Sequence, residues 1–573
     1  MKTPEFTKRL ALMALTLLLA TSSAMAYDFV VDGIYYSNGR EGEVNVTFKD
    51  TDYNSYSGDV TIPSTVTHSG KTYTVVGLDW CTFLRCTELT SVTLPNTIQR
   101  IGSSAFSGCT KLTGITIPNS VTEIDYDAFS NCYALKKVVI PNSVTKLGYY
   151  AFERCFALTE VTLSNKLEAI ESLTFYGCTS LKKITIPASV KTIEHQAFED
   201  CTSMESVTLS SGLESILDYA FRSCTSLTQV TIPNTVKTLG RSAFMECSNL
   251  KSVKLSTSLE TIGNDAFRES GLESINIPNS VTTIGDRAFY ECNGLQQAQI
   301  GNGVTEIGEF TFYRCIEMTS LTLGNHVESI RHHAFSGCSK LTAVNIPNSV
   351  ITLENDAFSF SFCHRMRSVV IGDGVKEIGD YAFHECDDLA NLVIGKSVTS
   401  LGVNAFYGCR LLKSVNIPNS VKTIDNCAFL QCNDLTQLTI GSGVTQIGYG
   451  AFAGNAKLAS LTCHAVTPPT FVIDDSWSTF NYNVYDQATL YVPKESIIRY
   501  KNAEIWKDFA NIQAIPDHLP GDVNVDGEVN IADINAVIDM ILSGNSDTLG
   551  DVNGDGEVNI ADINAVINII LDH

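Results

Sequence analysis

A phenylalanine recurs seventeen times along this chain, at Phe83, Phe106, Phe129 and onward through Phe358 to Phe452. The step is 23 residues, except for 22 before Phe289 and 25 between Phe358 and Phe383. A unit of that length is too short to bury an apolar face of its own. Such units must stack, each covering the next, and the product is a solenoid with one continuous core. At a strand spacing of roughly 4.8 Å, seventeen rungs make a rod about 80 Å long.

Within a unit the pattern is Leu-x-x-Val-x-Ile-Pro-Asn-Ser-Val-x-x-Ile-Gly-x-x-Ala-Phe-x-x-Cys, as in Leu112, Ile115, Ile117, Val121, Ile124, Ala128, Phe129 and Cys132. Alternation across Ile115, Thr116 and Ile117 predicts a short strand with one face inward. Pro118-Asn119 predicts a turn, and Val121 to Ile124 a second extended piece. The Ala-Phe-x-x-Cys segment reads as a short helical or irregular return. These units resemble the BspA-type leucine-rich repeat, whose hallmarks are the Ile-Pro-Asn-Ser-Val and Ala-Phe-x-x-Cys segments. The match runs from about Cys81 to Asn455, with Ser270 and Asn455 in place of Cys and Thr174 and Thr311 in place of Ala. The resemblance implies a parallel-β solenoid in a bacterial surface or secreted protein used for attachment, in a family that is not enzymatic and shares no single ligand.

The chain ends by repeating itself. Gly521 to Leu542 and Gly550 to Leu571 are identical at 19 of 22 positions. Each copy opens with oxygen ligands at calcium-loop spacing: Asp522, Asn524, Asp526, Glu528, Asn530 and Asp533, then Asp551, Asn553, Asp555, Glu557, Asn559 and Asp562. Glu528 and Glu557 would contribute backbone carbonyls. Gly527 and Gly556 sit at the sixth position, where the chain turns sharply and a side chain is expected to be in the way. An apolar helix pattern follows each loop (Ile534, Val537, Ile538, Ile541; Ile563, Val566, Ile567, Ile570), and none precedes it. A duplicated loop and exit helix with Asp at position twelve resembles the dockerin type I domain. That resemblance implies a small all-α module holding two Ca2+ ions and docking on a cohesin-like module, with Ile531, Ala532, Ile560 and Ala561 as the partner-binding positions. Residues 521–573 carry nine Asp, two Glu and no Lys or Arg, which is 11 of the chain's 23 net negative charges. Carboxylates so concentrated repel one another unless a cation sits among them, so calcium is expected to order this segment.

Lys2, Lys8 and Arg9 precede the apolar run Leu10 to Ala20 and Ala24-Met25-Ala26, which predicts a secretory signal peptide cleaved after Ala26. No Cys follows the run, so lipid attachment there is not indicated. No other stretch is long and apolar enough to span a bilayer. The expected division is therefore signal peptide 1–26, N-terminal cap 27–80, repeats 81–460, C-terminal cap 461–516 and calcium-loop module 517–573. The first cap reads as strands through Tyr35, Tyr36, Val44, Val46 and Phe48; the second carries a predicted helix from Glu495 to Trp506. An excess of 62 acidic over 39 basic residues argues against nucleic acid as a partner.

Fifteen of 18 cysteines occupy the same position in successive units, with Cys81, Cys427 and Cys463 off the ladder. Side chains in such a ladder point the same way, which is poor bridging geometry, and buried free thiols acting as small apolar fillers fit better. The ten histidines show no metal-ligand spacing and no nucleophile motif accompanies them. No catalytic residues are assigned, and the serine of each Pro-Asn-Ser turn reads as structural. The outward strand positions (Thr93, Thr116, Thr162, Thr185, Thr208, Thr231, Lys254, Asn276, Gln299, Thr322, Asn345, Asn416, Thr439, Thr462) form a polar array that suits half-exposed strands and could serve recognition. Tyr126, Tyr149, Tyr150, Tyr219, Tyr381 and Tyr449 are expected to cover the rim of the core. Phe358, Phe360 and Phe362 mark a two-residue insertion read as a packed bulge or, alternatively, a ligand patch. Two function classes stay open. One is a secreted, non-catalytic protein whose solenoid binds an extracellular protein or glycan while the tail docks to a surface or scaffold. The other is a component of an extracellular polysaccharide- or protein-degrading complex with an activity these motifs do not reveal.

Overall fold

The structure, a computed structural model, describes residues 26–353, 359–473, 478–516, 521–524, 529–544 and 547–572. The expected signal peptide thus lies outside the described residues, apart from Ala26.

Most rungs contribute two parallel strands, one of three to five residues and one of two, which pair in runs with the same positions one period on. Lys137–Val139 pairs with Glu160–Thr162, and Thr192–Ile193 with Ser215–Ile216. Register survives both irregular steps: Ser252 pairs with Ser274 across the short one, and Ala343 with Ser368 across the long one. The strands bury alternate residues, as in Ser274–Ile277, where Ile275 and Ile277 face inward. Most strand expectations hold, but segment 112–117, the example chosen above, forms no strand.

The return is a stack of turns with no helix in the described repeats. Among the described residues, those two before and two after each repeat Phe adopt left-handed backbone, as at Asp127 (φ 59) and Asn131 (φ 58). That geometry turns alternate amides toward the next rung: Asp127, Phe129 and Asn131 donate to the Tyr149, Ala151 and Glu153 carbonyls, each at 2.8 Å. The return is therefore bonded rung to rung much as a sheet is.

The phenylalanines form one column with ring centroids 4.9–5.7 Å apart and planes within 14° of parallel. The insertion is placed differently from expectation. Phe360, fully buried, carries the column between Phe335 (5.0 Å) and Phe383 (5.4 Å). The two extra residues fall between Leu353 and Phe360, and Phe358 lies outside the described residues. Phe362 stands in left-handed backbone at the surface (φ 58).

Turn residues answer to neighbouring backbone. The Asn of Pro-Asn accepts the amide one rung on: Asn142 from Asn165 at 2.9 Å, Asn279 from Asn302 at 2.9 Å. Where glycine replaces turn residues, backbones come too close for a side chain; a Cβ on Gly374 would sit 1.9 Å from the Asn348 carbonyl oxygen.

Both ends merge into the rod. Phe29–Val31, Ile34–Asn38 and Glu43–Thr47 form an antiparallel meander whose last strand pairs in parallel with Lys71–Leu78, and that strand continues into the two-residue sheet through Arg100–Ile101. At the far end Ser460–Cys463, Thr489–Val492 and Asn511–Ala514 extend the other sheet, and Phe480 extends the column beyond Phe452 at 5.6 Å. The helix expected over Glu495–Trp506 is shorter: Ile497–Asn502 is α-helical, 3-10 turns occupy Lys494–Ser496 and Trp506–Asp508, and Ile505 (φ 69) breaks the run. In the C-terminal module, helices Ile531–Ser543 and Ile560–Asp572 pack through Val537 and Val566, both fully buried.

Candidate calcium-binding module and recognition faces

The second acidic loop is described throughout. Asp551 Oδ2 accepts the Gly556 amide at 2.8 Å, Asn553 Oδ1 the Asp555 amide at 2.8 Å, and Asp555 Oδ1 the Glu557 amide at 2.9 Å. Asp562, fully buried, takes the amides of Asn553 (3.1 Å) and Asn559 (2.8 Å). The chain thus wraps its own carboxylates with peptide donors, and Asn559 caps the exit helix by accepting the Ala561 amide at 2.7 Å. Asp551 Oδ1 is buried without a partner. A buried carboxylate oxygen lacking any donor, in a loop whose ligands are all oxygen, fits a hard cation such as Ca2+. Among the described residues no three His, Cys, Asp or Glu side chains converge on one point; the ring would need the amide oxygens of Asn553 and Asn559 and a backbone carbonyl. Gly556 has φ 90 and a Cβ there would meet nothing within 4 Å, so glycine is required by conformation rather than by lack of space.

In the first loop Asp522, Asn524, Asn530 and Asp533 are described, while Asp526, Gly527 and Glu528 lie outside the described residues. Asp533 repeats the role of Asp562, accepting the amides of Val523 (2.8 Å), Asn524 (3.1 Å) and Asn530 (2.8 Å). Its bond to Asn530, with Asn530 Oδ1 accepting from Ala532, closes a capping box. Beyond these caps Ile531 and Ile560 are 72% and 69% exposed, with Ala561 exposed and Ala532 half-buried beside them.

On the rod, the outward strand ladder is exposed as expected except at Thr439 and Thr462, which are half-buried. It also contains three hydrophobic members that the polar reading passed over: Val139, Val370 and Val393. Of the tyrosines, Tyr149 is exposed; the others are half-buried at the rim. Scattered histidines proved to be neighbours of aromatic rings. His332 and His333 lie 4.1 Å apart and pack on Phe310, which touches Tyr290 and Tyr313; His384 stacks on Tyr407 at 4.7 Å. The 23-residue period could have revealed this clustering, since Tyr290 and Tyr313 occupy equivalent positions.

All 18 cysteines are free and buried. The ladder thiols have a further role beyond filling space: from Cys109 on, each donates to the Phe carbonyl of the preceding rung, as Cys109 to Phe83 (3.0 Å) and Cys224 to Phe198 (3.3 Å), while Cys86 in the first rung donates to the Tyr53 carbonyl. Asn455, in a Cys position, makes the same bond through Nδ2 to Phe429 at 3.0 Å. Burial pushes thiols such as Cys178 and Cys247 up to about 12. Thr174 and Thr311, in the Ala position, bond within their own turns to Glu171 and Gly308. Among the described residues no helix is long and apolar enough to cross a membrane.

The family model for the BspA type leucine-rich repeat region matches over residues 79–202, 168–296, 260–363 and 359–468, and the dockerin type I domain matches over 520–571. No curated protein matches the chain. Among solved structures, a leucine-rich repeat protein from Bacteroides ovatus is 25% identical, with 78% of this chain and 100% of that one covered and a TM-score of 0.47. A leucine-rich cell surface protein from Faecalibacterium prausnitzii is also 25% identical, with 80% and 97% covered and a TM-score of 0.30. Repeats and dockerins of these types are non-catalytic and are typically found outside the cell, and dockerins bind calcium.

Proposed function

The chain belongs to the BspA type leucine-rich repeat family and ends in a dockerin type I domain, and from that premise we propose that it is a secreted two-ended adaptor. The solenoid grips an extracellular protein or glycan. The tail, loaded with two Ca2+ ions, docks on a cohesin-like module of a surface or scaffold and so holds the rod in place. Asp522, Asn524, Asp526, Glu528, Asn530 and Asp533 hold the first ion, and Asp551, Asn553, Asp555, Glu557, Asn559 and Asp562 the second. Calcium supplies the positive charge that these acidic loops lack; the protein's own residues fix the start of each exit helix.

The observation that carries the docking reading is the paired exposure of Ile531 and Ile560, 72% and 69%, at equivalent first positions of two near-identical helices. Hydrophobic side chains so displayed on a capped helix end are suited to burial by a partner. Because the copies are equivalent, either can dock, with the complex turned by about half a revolution. Titration of the full chain with a cohesin-like module is expected to show binding in calcium and none after chelation. Ile531→Asp or Ile560→Asp alone should leave binding within a few-fold, and the double variant should lose it by a hundredfold or more. No binding in calcium, or full affinity in the double variant, would overturn the docking reading.

A further inference from the structure

One rung contributes no strand to the face formed by the longer strands. Segment 112–117 forms no strand, although strands Leu89–Thr93 and Lys137–Val139 stand on either side of it. The difference is Gly114, which occupies the outward position held by Ser91 and Lys137 in the adjoining rungs. Glycine in a strand interior has no side chain to pack and loses the most freedom on ordering, and it commonly marks a place where a ligand approaches the backbone.

Two observations converge on this rung. No peptide N–H from Thr113 to Ile117 reaches a backbone carbonyl, whereas the equivalent amides of Ile62 and Ile140 donate to Thr93 and Thr162 at 3.0 and 2.9 Å. Ile115 is half-buried, as are Val207, Val253, Leu321 and Leu392 at the same position further along, while its immediate counterparts Val92 and Val138 are 6% and 2% exposed. Together these open a cleft across three rungs, bordered by Thr116, Asn119, Asn142 and Thr162 and floored by Ile115 and Val139. Val139 is 61% exposed there.

We propose that this cleft is a recognition site for a short neutral oligosaccharide; the inference rests on the reading of the solenoid as the recognition arm. The border offers amides and hydroxyls, and unpaired peptide groups add both donors and acceptors, which suits sugar hydroxyls that do both. The one ionic group, Lys137, is held by Glu160 at 2.7 Å, so no free charge invites a carboxylate or sulfate. Ile115 and Val139 present an aliphatic patch to the C–H face of a ring. A peptide adding as a strand needs a vacant sheet edge; here the chain's own rungs fill both flanking places, so the ligand enters from the face. Three rungs span roughly 10 Å, about the length of a disaccharide.

The test closes the sheet. Gly114→Val puts a β-former where an added Cβ meets nothing within 4 Å. The calcium-loaded full chain is applied to an array of neutral gluco-, manno-, xylo- and N-acetylglucosamine oligomers, alongside uronic-acid and sialylated glycans and matrix proteins. Binding to a neutral oligomer that falls tenfold or more in Gly114→Val, with an equal or higher melting temperature, supports the site. Should that variant fold poorly, Asn119→Ala, which leaves the strand pattern alone, is expected to show the same tenfold loss. Neutral binding unchanged in both variants overturns the site. Binding confined to acidic glycans or proteins also overturns it, yet leaves the solenoid as the recognition arm. A chain that binds nothing on the array overturns both readings.

Discussion

The rod and the tail bury apolar side chains in thin elements by opposite means. In the rod every rung is completed by its neighbour, and one buried cluster runs from Phe29 to Phe509. Most backbone amides, nearly all ladder thiols and many turn asparagines find partners one period away. The tail has no neighbour to lean on. Among its described residues the buried apolar ones are Val523, Val537 and Val566, and beside them lie the buried carboxylates Asp522, Asp533 and Asp562. Repetition satisfies most polar groups rung to rung and buries few charges over a long rod (Glu153, Glu199 and Asp265 among them), whereas a short duplicated loop sets carboxylates beside its small core and then needs a counter-charge.

The largest test of this contrast is calcium removal. Chelation is expected to abolish the helical circular dichroism of the tail while the main melting transition of the rod stays in place. A helical signal that survives chelation would break the comparison at its root. The complementary perturbation is Phe360→Ala, which should cost the rod about 3–5 kcal/mol in denaturant titrations through lost burial and the cavity left behind. Calcium affinity of the tail should be unaltered. If Phe360 lay in a surface patch, stability would hardly move.

The legible part of the sequence follows the same division. A strict period exposes every residue with a repeated job, so Phe106, Cys109 and Ile124 declare their burial seventeen rungs over. The insertion is ambiguous because the Ala-Phe-x-x-Cys pattern splits there, Ala357-Phe358 meeting its first half and Phe360-x-x-Cys363 its second; stacking against Phe335 and Phe383 decides for Phe360. The return was legible as irregular but not as a bonded stack, since left-handed backbone falls on residues as different as Asp127, Leu173 and His333. Segment 112–117 misled for the reverse reason: its alternation predicts a strand, and one glycine outweighs it. In the tail, ligand spacing is readable from residue types alone, while the capping role of Asn530 and Asp533 depends on backbone geometry.

A smaller effect separates the rod's thiols from ordinary exported cysteines. With all 18 buried and raised by burial, a thiol reagent at pH 8 should find almost none in the native chain and 18 after denaturation without reductant. Fewer than 18 would reveal bridges between rungs. Cys224→Ser should cost only about 1 kcal/mol, because a hydroxyl can still donate to the Phe198 carbonyl.

The smallest expected effect lies in the aromatic cluster on the turn face. Burial, and next the neighbouring His332, lower His333 to about 4 from its ordinary 6.5. The folded chain therefore prefers the neutral ring, and the unfolded chain binds the proton first as pH falls. His333 contributes its full stability above about pH 6.5, loses it progressively toward pH 4, and adds no further slope below that. His333→Asn tolerates the left-handed backbone at this position (φ 53) and removes the titrating group. Melting temperature against pH should be flatter in the variant between pH 6.5 and 4, by a modest amount because the ring is half-exposed. The measurement is made on calcium-saturated protein and read from the rod's transition, so that protonation of the tail's carboxylates does not enter. Equal slopes in variant and parent would show that the cluster's histidines are solvated in the folded rod as in the unfolded chain, and that burial on the turn face is shallower than the ring contacts imply.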